Sequence, residues 1–134
     1  MGHERHRRGA ARTILLVEDS EDLRALMVVL LQEEGYEVDA AATASEALER
    51  LHGRPYNLVL TDYALPGRSG AWLLREADDR RLLQGCALII TAHPNPIDTD
   101  GFEVIRKPLE FDSFLARIRT LLDTCGCRNE ASRS

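Results

Sequence analysis

The residues in this chain that can do chemistry stand at the ends of apolar runs. Glu18 and Asp19 follow ILLV, Asp62 follows NLVLT, and Lys107 follows FEVIR. Thr91 closes a further run, LII. If each run is a parallel strand, these side chains gather at one edge of one sheet, the place where open α/β sheets bind ligands. Three carboxylates brought together repel one another and raise their own pKa values, so such a cluster calls for a cation. Mg²⁺ suits it, being a hard ion held by one or two carboxylates while it keeps waters and takes oxygens from phosphate. An ammonium across from the cluster adds a contact for a phosphoryl oxygen.

The elements that must position these residues follow from periodicity. Residues 13–17 (TILLV) are a continuous apolar run suited to a strand buried on both faces. Ser20 then caps a helix in which Leu23, Leu26, Met27, Leu30 and Leu31 recur at helical spacing, and Gly35 ends it. A second strand is expected over 37–41. Thr43 and Glu46 have capping-box spacing ahead of the stripe Ala44, Ala47, Leu48 and Leu51. His52-Gly53-Arg54-Pro55 breaks that helix, residues 57–61 read as a third strand, and a Gly- and Pro-containing loop leads to a helix over about 70–77. Leu88, Ile89 and Ile90 form a fourth strand. Residues 93–101 (HPNPIDTDG) carry two prolines, two aspartates and a glycine, so at most one turn of helix fits there. A fifth strand over 102–105 and a final amphipathic helix with Phe111, Phe114, Leu115, Ile118 and Leu122 complete the pattern. Strands alternating with helices imply an α/β fold with a parallel sheet covered on both faces.

Composition narrows the function classes. At 134 residues, 44% of them hydrophobic, the chain has room for one domain with one sizeable core. The division expected is a basic flexible tail over 1–11, a folded unit over 12–124 and a polar C-terminal tail over 125–134. A formal net charge of −5 argues against nucleic acid as a direct partner, since phosphate-backbone binding needs clustered Lys and Arg. Positive charge is concentrated only at Arg5, Arg7, Arg8 and Arg12. No run has signal-peptide or membrane-spanning length, so a cytoplasmic protein without a membrane partner is expected. Three cysteines, Cys86, Cys125 and Cys127, make no disulfide framework, and the C-x-C pair lacks the further ligands of a zinc site.

Taken singly, each site residue has a plain structural alternative. An acidic pair after a strand serves a helix N-terminus, Asp62 caps a turn, Thr91 satisfies a backbone group, and Lys107 is a solvated charge. Their joint order after four different strands is what such readings do not produce. In LLVEDS, LTDYALPGRSG, IITAH and RKPL, with the spacing between them, the chain resembles a response-regulator receiver domain of two-component signalling over about residues 12–124. The resemblance implies a flavodoxin-like, doubly wound, five-stranded parallel sheet of order 2-1-3-4-5 with helices on both faces. It implies that Asp62 takes a phosphoryl group from a phosphohistidine. Asp19 and Asp62 would bind Mg²⁺ directly, Glu18 through water, and Ala64 through its backbone carbonyl. Lys107 and Thr91 would contact phosphoryl oxygens, and the Lys107-Pro108 bond would be cis.

Two features depart from that pattern. Only fifteen residues separate Thr91 from Lys107, several fewer than in the family, so the fourth helix is expected to be short or missing. The position three before Lys107, often an aromatic switch residue, is Val104, with Phe102 on the same strand face. Phosphorylation is therefore expected to order the 93–101 loop rather than to swing an aromatic ring.

The implied partner is a histidine kinase or a histidine phosphotransfer protein, met by a monomer or weak dimer that is not itself an enzyme. Ala25, Val28 and Val29 on the first helix lie beyond one core stripe and offer it a docking face. Met1 and the polar tails suit a free-standing protein; the alternatives are a receiver excised from a hybrid histidine kinase and an unphosphorylated binding module. A haloacid-dehalogenase-type phosphatase also uses Asp, Thr and Lys at strand ends, but it needs an acid two residues after the nucleophile, where this chain has Ala64. His93 reads as a loop residue, and Tyr63 and Trp72 as packing or loop-surface residues.

Overall fold

The structure, a computed structural model, describes residues 11–99 and 101–133, with backbone alone described over 125–133. The basic stretch 1–10 and the side chains of Cys125 and Cys127 lie outside the described residues. Along the chain run β1 (Thr13–Val17), α1 (Glu21–Glu33), β2 (Glu37–Ala41), α2 (Ala44–Gly53), β3 (Leu58–Asp62), α3 (Gly70–Asp79), β4 (Cys86–Thr91), β5 (Glu103–Arg106) and α4 (Phe111–Arg133). The five strands form one sheet in the order β2-β1-β3-β4-β5. All pairings are parallel.

Side-chain alternation in the strands sorts the core into two layers. Ile14 and Leu16 of β1 join Leu58, Leu60, Leu88 and Ile90 under α1 and α4, where Met27, Leu31, Phe114 and Ile118 are buried. Leu15 and Val17 face the other way, with Val59 and Ile89, under α2 and α3, against Ala47, Leu48, Leu51, Leu73 and Leu74. Each large side chain buried this way contributes roughly 1.5–3 kcal/mol by leaving water. That is why the central strands read as unbroken apolar runs.

The helix starts are set by local chemistry. Ser20 accepts a hydrogen bond from Leu23 N at 3.3 Å, and Ser69 one from Trp72 N at 3.0 Å. Thr43 accepts from Glu46 N, while the Glu46 carboxylate reaches past the cap to Ala42 N. Gly35, at φ 99°, takes the chain out of α1 in the left-handed region that glycine enters without strain.

Element boundaries shift modestly from the sequence reading. β3 begins one residue later and includes Asp62, and β4 begins at Cys86. No helix separates β4 from β5 among the described residues, as the short spacing and the prolines require. α4 runs to Arg133, past residue 124, where a polar tail was expected. Gly126 is the one strong helix breaker in that stretch, and helix continues through it. Leu26, placed in the core stripe of α1 by its spacing, is 45% exposed. Cys86 is disulfide-bonded, contrary to the expectation drawn from the sparse cysteines.

Candidate functional site

Parallel pairing in register aligns the carboxyl ends of the central strands. Val17 stands beside Thr61, Asp62 beside Ile90, and Thr91 beside Arg106. The residues just past those ends therefore share one rim, at the point where the chain moves from β1 outward to β2 on one side and to β3 on the other. Glu18, Asp19, Asp62, Ala64, Thr91 and Lys107 all line one open cavity there, of about 570 Å³. Every site residue expected from the sequence is brought to this cavity.

Carboxylate oxygens of Glu18, Asp19 and Asp62 lie within 4.8 Å of one another. Glu18 and Asp62 are buried, at 3% and 5% exposure, while Asp19 is exposed toward the cavity. Lys107 Nζ sits 3.0 Å from Asp62 Oδ1 and 3.8 Å from Glu18 Oε1. Beyond this ion pair no further hydrogen bond to Asp62 Oδ1 is found among the described residues, and a carboxylate oxygen has room for a second partner. Burial pushes the Asp62 carboxyl up to about 7. The hydrogen bond it shares with Glu18, and the Glu18 charge, add to the rise, against which Lys107 pulls down. A partly desolvated cluster of three carboxylates facing one ammonium fits a hard divalent cation with oxygen ligands.

The supports of these side chains come from the loops. Glu18 Oε2 accepts from Ser20 N at 3.0 Å, and Glu18 N donates to Ala41 O at 3.0 Å. Gly70 lies so near Asp62 that a Cβ there would stand 2.0 Å from the Asp62 carbonyl oxygen. The Lys107-Pro108 peptide is cis. Lys107 N donates to Thr91 O at 2.8 Å, which ties the lysine to the end of β4.

Three contributors escaped the sequence reading. Arg24 donates to the Glu18 carbonyl at 2.8 Å and so braces the acidic turn. Its position six residues after Glu18, on the helix that follows β1, was the available signal. Tyr63 and Arg106, which flank Asp62 and Lys107 in the sequence, both hold the loop after β4: Tyr63 Oη accepts from Ile97 N at 3.0 Å, and Arg106 donates to His93 O and Pro94 O. These bonds tie His93, Pro94 and Ile97 of that loop to the ends of β3 and β5. Phe102 and Val104 both pack partly buried against the α2/α3 layer, as their shared strand face predicted.

Residues 14–119 match the family profile of the response regulator receiver domain. The chain belongs to that family. Receiver relatives include the transcriptional regulatory protein DltR of Streptococcus agalactiae, 35% identical over 79% of this chain and 50% of its own length. The two-component response regulator PhoP of Pseudomonas aeruginosa is 36% identical over 81% of this chain and 51% of its own. This receiver chain thus spans about half the length of the curated relatives it matches. Among solved structures it is similar to a CheY-like receiver protein from Methanospirillum hungatei, with TM-score 0.81, 29% identity, and coverage of 92% of this chain and 99% of that one. It is also similar to the response regulator TrrA of Thermotoga maritima, solved in complex with Mg²⁺-BeF, with TM-score 0.74, 30% identity, and coverage of 82% and 98%. Family membership leaves the phosphatase alternative without support. No helix among the described residues is long and apolar enough to cross a membrane.

Proposed function

We propose that this receiver is a phosphoryl-accepting switch in which Asp62 takes phosphate from a phosphohistidine. The carrying observation is the buried Asp62 carboxylate, set beside Glu18 and Asp19 with Lys107 Nζ 3.0 Å from one of its oxygens. In the transfer, an Asp62 oxygen forms a bond to phosphorus as the phosphorus–nitrogen bond breaks, and the donor ring, carrying a proton on its other nitrogen, leaves with that electron pair as neutral imidazole. Asp19 and Asp62 would hold Mg²⁺ directly, Glu18 through water and Ala64 through its carbonyl. Mg²⁺ bound there would supply charge neutralisation on the transferring group. Lys107 takes one equatorial oxygen and the Thr91 hydroxyl another, so the protein's task is positioning and electrostatics. Ala92, small and exposed, leaves the approach open.

The donor is a histidine kinase or histidine phosphotransfer protein. Leu26 and Val29, 45% and 50% exposed on α1, give it an apolar docking face on a helix whose start borders the cavity. Val28, assigned to that face from the sequence, instead packs partly buried against the α1/α4 layer. The receiver unit over 12–124 is read as a cytoplasmic monomer or weak dimer without direct contact to nucleic acid, the output being altered docking. Incubation with labelled acetyl phosphate and Mg²⁺ tests the reading. The expected result is label on the wild-type chain and none on Asp62→Asn; an unlabelled wild type would favour an unphosphorylated binding module.

A further inference from the structure

The Thr91 hydroxyl accepts a hydrogen bond from the His93 amide at 2.8 Å. A hydroxyl offers one proton and two lone pairs. With the amide proton aimed at its oxygen, the hydroxyl's own proton must turn elsewhere, and Thr91 borders the cavity. The His93 amide therefore presets Thr91 as a donor.

The backbone that carries this amide is held by Arg106. Its Nη1 donates to His93 O and its Nη2 to Pro94 O, each at 3.0 Å. Arg106 is the register partner of Thr91, and the next residue, Lys107, returns a backbone bond to Thr91 O. Thr91, His93, Arg106 and Lys107 thus close a ring of bonds around the end of β4. A planar guanidinium can bridge two carbonyls in fixed geometry, which a single ammonium does not. The ring includes no aromatic from β5.

We propose that Arg106 is a positioning residue for phosphoryl uptake: by clamping the His93 and Pro94 carbonyls it fixes the amide that presets the Thr91 hydroxyl toward the phosphoryl oxygens. The inference rests on the reading of Asp62 as the acceptor. It also gives the phosphoryl group a route to the 92–102 loop that does not need an aromatic at position 104. A Thr91 hydroxyl drawn to phosphate pulls on the same amide that Arg106 holds.

A double-mutant cycle on the full chain tests it, with uptake from acetyl phosphate measured at saturating Mg²⁺ for wild type, Arg106→Ala, Thr91→Ala and the double variant. Groups that act through one network are non-additive, so Arg106→Ala should slow uptake about three- to tenfold in the wild type and leave the Thr91→Ala rate unchanged. Arg106→Lys keeps the charge but not the two-carbonyl clamp, and should be slowed nearly as much as Arg106→Ala. Equal slowing by Arg106→Ala in both backgrounds, or full rescue by lysine, overturns the role of Arg106 while leaving Asp62 as acceptor. A wild type that takes no phosphate overturns the acceptor reading and this inference with it. Arg106 is exposed, so its replacement leaves the core intact.

Discussion

Asp62 is held in a state that costs free energy until something binds. Its carboxyl is raised from an ordinary value of about 4 to about 7, first by burial and then by Glu18. A carboxyl whose folded value is raised contributes stability below its unfolded pKa and loses it as pH rises through the folded value. The metal-free protein should therefore lose stability between about pH 4 and pH 7, and Mg²⁺ should restore it at the upper end. Calorimetric titration checks the same point from the other side: near pH 7 Mg²⁺ binding should release protons, and its affinity should fall as pH drops below that value. A pH-independent affinity from pH 5 to 8 would contradict this account of Asp62. Lys107→Ala should slow phosphate uptake by about 10²–10³, the scale of losing one preorganised electrostatic contact, measured by label incorporation at saturating Mg²⁺.

At the scale of elements, the turn between β3 and α3 decides whether Asp62 points into the cavity. Gly70 N donates to Tyr63 O at 2.8 Å while its Cα faces the Asp62 carbonyl. Gly70→Ala would place a methyl 2.0 Å from that oxygen, so backbone must move. The expected cost is about 1–3 kcal/mol of stability in denaturant unfolding, with slowed phosphate uptake. On α1, Val29→Glu should slow transfer from a phosphorylated partner and leave uptake from acetyl phosphate unchanged; equal rates from the partner would remove α1 as the docking face. The elements themselves were legible because a strand buried on both faces must read as an apolar run, and because Ser20, Thr43, Ser69 and Gly35 mark helix ends by chemistry that acts within a few residues. Leu26 was misplaced because helical spacing says which residues share a face, not how wide a neighbouring layer covers it. The bonds of Tyr63 and Arg106 to the loop join residues distant in sequence, and no local pattern encodes them.

For the whole molecule, the site exists only because four strands end in register, and that register is what the sequence could hint at but not display. Glu18, Asp62, Thr91 and Lys107 were legible as candidates since each closes an apolar run. Their convergence to 3.0–3.8 Å between Lys107 and the two buried acids required the sheet order. The loop in place of a fourth helix leaves Ile97 67% exposed. All of this depends on phosphate arriving at one carboxylate. The most direct test is peptide mapping after reaction with acetyl phosphate and Mg²⁺, with the acyl phosphate trapped by reduction. The account predicts a single modified peptide with the modification on Asp62; a modification on Asp19, on Glu18 or on none of the three acids would contradict it.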